Sequence, residues 1–178
     1  MKGELLENRI VVWNTQESRD LFANGYFGKP IGIPKPNVND INVPLILDLI
    51  EGCYLLKISK IKISKNGKNV SLNALIKICR KEYHDFDKKF QVYRDFRDKG
   101  YVINPGIKFG CDFAVYQKGP GIDHAPYLVQ VYNKNDDISS TAVVLAGRLA
   151  SSVKKQFILA IPRDKDKIDY LALDWWRA

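Results

Sequence analysis

Apolar and polar residues follow one another in short blocks along the first half of the chain, and these blocks predict a small α+β domain. We predict a strand over 10–13 and a helix after Asn14 and Thr15 that ends near Gly25, followed by a loop rich in Gly, Pro and Asn from Gly25 to Pro44. Pro44 is expected to open a second helix that carries Leu45, Ile46, Leu49 and Ile50. A strand over 55–63 with a slip of phase at Ser59–Lys60, a turn at Asn66–Gly67 and a helix capped by Ser71 complete this half.

The pattern changes near residue 84, where a helix is followed by mainly β segments. We predict a helix capped by Asp85 or Asp87 and stopped by Gly100, strands over 101–103, 107–116 and 127–132, a helix over 140–153, and strands over 157–161 and 168–175. The expected fold class is α/β (α+β), with a small N-terminal α+β domain over 1–83. A C-terminal domain over 84–178 is expected to contain a mixed β-sheet with packed helices.

Composition excludes several classes of protein. The chain has 178 residues, of which 46% are hydrophobic, so general disorder is excluded. No apolar run approaches the roughly 18 residues of a membrane span, and acids interrupt the first apolar stretch, so we expect a soluble, cytoplasmic protein without membrane contact. The cysteines, Cys53, Cys79 and Cys111, lie far apart, which favours buried thiols over a zinc site or disulfides.

Charge gives the first indication of a partner. Lys and Arg number 28 against 20 Asp and Glu, a formal net charge of +8. Such a surplus favours an anionic partner, most often nucleic acid. Solvated surface lysines remain an equally open explanation of the charge alone.

The region with the most chemical potential lies between Gly106 and Val131. Tyr116 is predicted to end a strand, and His124 stands in the Gly- and Pro-rich loop that follows, where reactive groups are commonly displayed. Taken singly, Tyr116, His124 and the later Lys155 each have an ordinary structural explanation.

Taken together, these residues form the pattern GxKFGxDFxxYxxGPxxxHAxYLV, and 31 residues after the histidine a lysine ends RxAxxVxK. The combination resembles the archaeal tRNA-splicing endonuclease family, strongly over 84–178 and only in size and element order before it. The matching residues are Gly106, Lys108, Phe109, Gly110, Asp112, Phe113, Tyr116, Gly119, Pro120, His124, Ala125, Tyr127, Leu128, Val129, Arg148, Ala150, Val153 and Lys155.

The resemblance implies a catalytic domain over 84–178 that cuts precursor tRNA at bulge-helix-bulge motifs, without metal or cofactor. The ribose 2′-OH would attack the adjacent phosphorus and leave 2′,3′-cyclic phosphate and 5′-OH ends. That step needs a base, an acid and a cation. By resemblance these are Tyr116, which alternatively orients the nucleophile, His124 and Lys155. The domain over 1–83 would serve structure and assembly.

The resemblance also implies RNA-clamping and assembly residues. Arg148 would stack on a flipped base, with a surface salt bridge as the alternative. Trp175 or Trp176 would form the other jaw, with Arg177 as a further candidate; paired tryptophans are equally typical of core and interface packing. Asp164 and Asp166 would lie in a loop that plugs into another subunit. Lysines alternate with these acids, so we favour a heterotetramer with a related noncatalytic subunit, a homotetramer being possible.

Two other functions compete with this interpretation. The first is a noncatalytic RNA-binding or structural subunit of the same assembly, although such a chain would be expected to lose part of the triad. The second is a metal-dependent nuclease, which needs clustered carboxylates. Asp112 lacks an ExK partner on the next strand, so no metal site is expected.

Overall fold

The structure is a computed structural model that describes residues 1–34, 36–38, 41–122, 124–164 and 166–173. The chain divides into two compact units, Met1–Phe86 and Asp87–Ala178, where the sequence predicts domains over 1–83 and 84–178. Together they form the α+β fold expected from the sequence.

The first unit is a mixed sheet with helices. Its elements are β1 (Lys2–Leu6), β2 (Arg9–Val12), α1 (Thr15–Ala23), β3 (Lys29–Pro30), β4 (Leu45–Leu47), α2 (Leu49–Lys57), β5 (Lys62–Lys65), β6 (Lys68–Val70) and α3 (Leu72–Glu82). The strands lie in the order β3-β4-β2-β1-β5-β6, with β1 parallel to β5 and the other neighbours antiparallel. Helix α2 packs closely on this sheet, because a Cβ on Gly52 would lie 2.1 Å from the Ile10 side chain.

The prediction of a helix opened by Pro44 is wrong. Residues 45–47 form β4 and pair with β2, and the helix begins only at Leu49. Asp48 caps that helix, and the Glu51 carboxylate accepts hydrogen bonds from the backbone N–H groups of Asp48 and Gly28, both at 2.8 Å. A short apolar run is compatible with either element, and here the strand pairing decides between them.

The prediction of a strand over 55–63 is also wrong. Residues 55–57 complete α2, Ser59 adopts a left-handed conformation with φ of 58°, and the Lys60 N–H donates to the Leu55 carbonyl at 2.9 Å. The strand starts at Lys62, after the slip of phase in the apolar pattern. The turn at Asn66–Gly67 and the cap at Ser71 are confirmed.

The second unit carries its sheet between two helices. Its elements are α4 (Phe86–Asp98), β7 (Val102–Pro105), a 3₁₀ turn (Ile107–Phe109), β8 (Phe113–Tyr116), β9 (Tyr127–Val131), α5 (Ser140–Ser152), β10 (Gln156–Pro162) and β11 (Ile168–Leu173). The strand order is β11-β10-β9-β8-β7, with only β9 and β10 parallel within the described residues. On one face Tyr93 of α4 contacts Phe113, with ring centroids 6.1 Å apart. Ala150 of α5 belongs to a buried cluster with Ala114, Leu128 and Phe157.

The predicted strand over 107–116 is too long at its start. Residues 107–109 form the 3₁₀ turn, and Gly110 ends it with φ of 64°, so the strand begins at Phe113. Gly106 lies so close to this turn that an added Cβ would be 2.5 Å from Cys111 Sγ and 2.7 Å from the Cys111 carbonyl oxygen. The turn therefore requires glycine at this position.

The cysteines are buried free thiols, as expected. Cys53 and Cys79 join α2 to α3 through an Sγ–Sγ contact of 3.4 Å, and this hydrogen bond together with burial raises the pKa of Cys53 above its usual range. Over the described residues, the helices include none with the length and apolar character that crossing a bilayer requires.

Candidate active site

Strand register brings Tyr116 and Lys155 to the same level of the second sheet. Val115 of β8 is paired with Tyr127 of β9, so Tyr116 lies beside Pro126. Gln156 of β10 is also paired with Tyr127, so Lys155 lies beside Pro126 on its other side, and the Gln156 N–H donates to the Pro126 carbonyl at 2.8 Å. Residues level with one another on neighbouring strands project to the same face. With strands about 4.8 Å apart, the Tyr116 and Lys155 α-carbons are roughly 10 Å apart.

The exit of α5 positions Lys155. The helix ends at Ser152, Lys154 adopts a left-handed conformation with φ of 53°, and the Lys155 N–H donates to the Ala150 carbonyl at 2.8 Å. Because Ala150 is buried in the core beneath the helix, this bond ties the start of β10 to a rigid part of the unit.

The Lys155 ammonium is held by groups from two other segments. Its Nζ donates to the Ala125 carbonyl at 2.5 Å and lies 5.5 Å from the centroid of the Phe109 ring. An ammonium has three donors, so the bond to Ala125 leaves two for an incoming anion. The ring face adds a cation–π attraction. Lys155 therefore presents a positioned positive charge at this end of the sheet.

His124 lies in the connection from β8 to β9, one residue before Ala125. Its side chain is exposed, while the adjacent Ala125 is buried in the same cluster that Tyr116 packs against. The anchored Ala125 is the residue whose carbonyl accepts from Lys155. Thus the structure brings the segments that carry Tyr116, His124 and Lys155 together, with a phenol, an imidazole and an ammonium as their functional groups.

Asp112 has a structural role. Its carboxylate accepts from the Gln130 amide at 2.7 Å and the Val131 N–H at 2.9 Å, and it forms a 2.7 Å ion pair with Lys89 of α4. These contacts tie the start of β8 to β9 and to the helix. Over the described residues, His, Cys, Asp and Glu side chains form no group of three or more that could hold a metal ion.

Arg148 lies seven residues before Lys155, close to two helical turns, a spacing that would predict a shared helical face. In the structure the two residues do not share one. The helix ends before Lys155, and Ala146 and Ala150 are the α5 residues that pack against the core. Two residues along a helix turn it by about 200°, so Arg148 lies on the side away from the sheet, where it is exposed. Trp175, Trp176 and Arg177 lie outside the described residues.

The proposed assembly acids lie in the turn between β10 and β11. Asp164 and Asp166 are both exposed, and Asp166 pairs with Arg94 of α4. In the turn, the Lys167 N–H donates to the Asp164 carbonyl at 2.7 Å, and Arg163 pairs with Asp169 at 2.6 Å.

Phe109 and Ala125 belong to the first sequence motif, but the motif alone indicates no role for them. In the folded chain they are the groups that contact the Lys155 ammonium. The aromatic Phe109 in the motif was the available signal of a cation–π contact, but Lys155, with which it makes that contact, lies 46 residues further along the chain.

Comparison with known proteins shows to which family the chain belongs. A family model described as tRNA intron endonuclease, catalytic C-terminal domain, matches residues 86–170, and one described as tRNA intron endonuclease, N-terminal domain, matches residues 1–76. The chain is 43% identical to a tRNA-splicing endonuclease of Hyperthermus butylicus, 44% to one of Sulfurisphaera tokodaii and 38% to one of Saccharolobus islandicus. Each alignment covers 98% of both chains. The resemblance seen in the sequence is confirmed: the chain belongs to the tRNA intron endonuclease family, whose members are the RNA-cleaving endonucleases of tRNA splicing.

Proposed function

We propose that this chain is the catalytic subunit of a metal-independent endoribonuclease that excises introns from precursor tRNA at bulge-helix-bulge motifs. The ribose 2′-OH attacks the neighbouring phosphorus, the bond to the 5′-oxygen breaks, and the products carry a 2′,3′-cyclic phosphate and a 5′-OH. The observation that supports this most is the common level of Tyr116 and Lys155 on one sheet face, with His124 in the adjoining connection.

Each group has one task in the proposed reaction. Tyr116 removes or orients the 2′-OH proton, His124 donates a proton to the departing 5′-oxygen, and Lys155 stabilises the charge that grows on the phosphate oxygens. A histidine suits proton transfer near neutral pH. The anchored ammonium suits the third task, because a charge that is already positioned needs little reorganisation during the reaction.

The noncatalytic alternative is less well supported, because the chain retains all the residues of the proposed triad. The metal-dependent alternative would require Asp112 as a ligand. That carboxylate already accepts from Gln130 and Val131 and pairs with Lys89, so a metal ion would have to displace a structural ion pair.

A substrate with two cleavage sites calls for two active sites at a set spacing, and we propose a heterotetramer with a related noncatalytic subunit, a homotetramer being the alternative. An acidic plug built on Asp166 would first have to give up its pair with Arg94, which leaves Asp164 as the better candidate. Light scattering of the purified chain tests this, since a stable tetramer of the chain alone would contradict the heterotetramer.

The reaction is tested with a bulge-helix-bulge RNA in EDTA, with and without a candidate partner chain. We expect cleavage in EDTA and cyclic phosphate ends, and no cleavage of an RNA carrying a 2′-deoxyribose at the scissile position. His124→Ala should reduce the rate at least a hundredfold, roughly the contribution of one proton-transfer group, with RNA affinity retained. Cleavage that is lost in EDTA and restored by Mg²⁺ would favour a metal-dependent nuclease, and RNA binding without cleavage in any condition would favour the noncatalytic subunit.

A further inference from the structure

A long stretch of the first unit carries basic residues without any acidic residue among them. Residues 57–81, here called the basic segment, contain eight Lys and Arg residues and no Asp or Glu. That number equals the formal surplus of +8 of the whole chain. The segment comprises the end of α2, the β5–β6 hairpin and most of α3.

All the basic side chains of this segment are exposed; they are Lys57, Lys60, Lys62, Lys65, Lys68, Lys77, Arg80 and Lys81. The sheet register brings several close to another lysine. Lys65 is directly opposite Lys68 in the hairpin, and Lys62 is directly opposite Lys2 of β1. Like charges opposite one another on neighbouring strands repel and destabilise the pairing. The hairpin therefore keeps an arrangement that folding alone disfavours.

The lysines of the basic segment differ from the basic residues of the second unit in their ion pairs. In the second unit, Lys89, Arg94, Lys99 and Arg163 each pair with an aspartate. In the part of the chain that the structure describes, no lysine of the basic segment has such a partner. The hairpin tip between Lys65 and Lys68 is Asn66–Gly67, an exposed turn. A polar surface with unneutralised ammonium groups suits a polyanion, whose charges would relieve the repulsion.

We infer that the basic segment binds the sugar-phosphate backbone of the precursor tRNA. This inference rests on the proposed function for the identity of the RNA. Lysine contacts to phosphates carry no base preference. They therefore suit a part of the tRNA fold that substrates of different sequence have in common. The first unit thereby contributes substrate affinity, in addition to structure and assembly.

The test compares two variants of equal charge in the full chain. Lys65→Gln/Lys68→Gln removes the opposed pair of the hairpin, and Lys29→Gln/Lys134→Gln removes two exposed lysines elsewhere; each lowers the formal net charge from +8 to +6. Binding is measured in EDTA between 50 and 300 mM salt in a His124→Ala background, with a bulge-helix-bulge precursor tRNA that carries 2′-deoxyribose at the scissile positions and is therefore not cleaved. We expect the hairpin variant to reduce the slope of log K against log salt by about 1.5 and to weaken binding roughly tenfold or more at 0.1 M salt. The control should stay within twofold of the parent.

The outcomes separate this inference from the proposed function. Equal losses of RNA affinity in both variants would mean that only net charge matters. An unchanged affinity in the hairpin variant would mean that the basic segment does not contact RNA. Either result overturns the inference without affecting the proposed cleavage by the wild-type chain. If only the hairpin variant loses RNA affinity while the wild-type chain cleaves no RNA, the result would support RNA binding by the basic segment and overturn the catalytic proposal. Removing the repulsion between Lys65 and Lys68 should leave the thermal midpoint unchanged or raised, which excludes unfolding as the cause.

Discussion

Replacing Phe109 with leucine should slow RNA cleavage through its effect on Lys155. The Phe109 ring lies on one side of the Lys155 ammonium at 5.5 Å, and the Ala125 carbonyl accepts from the same group. Leucine keeps an apolar side chain against the core cluster that Phe109 packs on, but it has no ring face. The ammonium would then keep its hydrogen bond to Ala125 and lose its contact with the aromatic ring.

The expected loss follows from the strength of that contact. Phe109 and Lys155 are both half-buried, so the cation–π attraction is worth about 1 kcal/mol, between the exposed and the desolvated limits. If the whole of it is lost from the transition state, the cleavage rate falls roughly fivefold. Phe109→Tyr keeps the ring and is the matched control, with an expected change of less than twofold.

Single-turnover cleavage of a bulge-helix-bulge RNA at saturating enzyme separates this effect from binding. We expect the rate constant to fall in Phe109→Leu while the Kd for RNA is unchanged. In a Lys155→Met background, Phe109→Leu should cause no further loss, because the group on which it acts is already absent. A fivefold loss in that background as well would refute the positioning role, as would an unchanged rate in the single variant with an unaltered fold.

Other predictions concern the structure beneath the site. Asp112→Ala leaves the Lys89 ammonium and the Val131 N–H without their acceptor, so the free energy of unfolding should fall by about 2–4 kcal/mol, measured by urea denaturation against the exposed Asp164→Ala as control. Gly106→Ala should cost about 1–3 kcal/mol in the same experiment, since the added methyl meets backbone atoms that cannot rotate away; wild-type stability would contradict the packing of the 3₁₀ turn. Burial and the nearby Asp112 charge raise the pKa of Cys111 from 9.0 to about 11. The stabilisation from the protonated Cys111 thiol is therefore complete below pH 9 and is lost as the pH rises through 11. Over that interval the free energy of unfolding of the wild-type protein should fall by about 2–3 kcal/mol more than that of Cys111→Ala. Parallel profiles of unfolding free energy against pH would contradict this.

Some elements were predictable because a local signal was sufficient. The Ser71 cap, the Asn66–Gly67 turn and the helix that ends before Gly100 each depend on residues adjacent in sequence. The prediction of a helix from Pro44 over the mostly apolar residues 45–50 was wrong for the opposite reason. It is long enough to be either a buried strand or the start of a helix, and its pairing with β2, more than 30 residues away in the chain, made it a strand up to Leu47.

The sequence by itself determined the chemistry of the candidate site and the family of the chain. Tyr116, His124 and Lys155 could be proposed from the sequence because they stand at fixed spacing in the two motifs by which the chain resembles its family. Only the tertiary structure decided how these residues meet. The order β8-β9-β10 sets Tyr116 and Lys155 on either side of Pro126, and it brings Phe109 and the Ala125 carbonyl to the ammonium. The packing of Ala146 and Ala150 also places Arg148 on the side of α5 away from the sheet, and the helix ends before Lys155. Strand order and register arise from burial and pairing across the whole unit, so contacts between distant residues become definite only when the chain is folded.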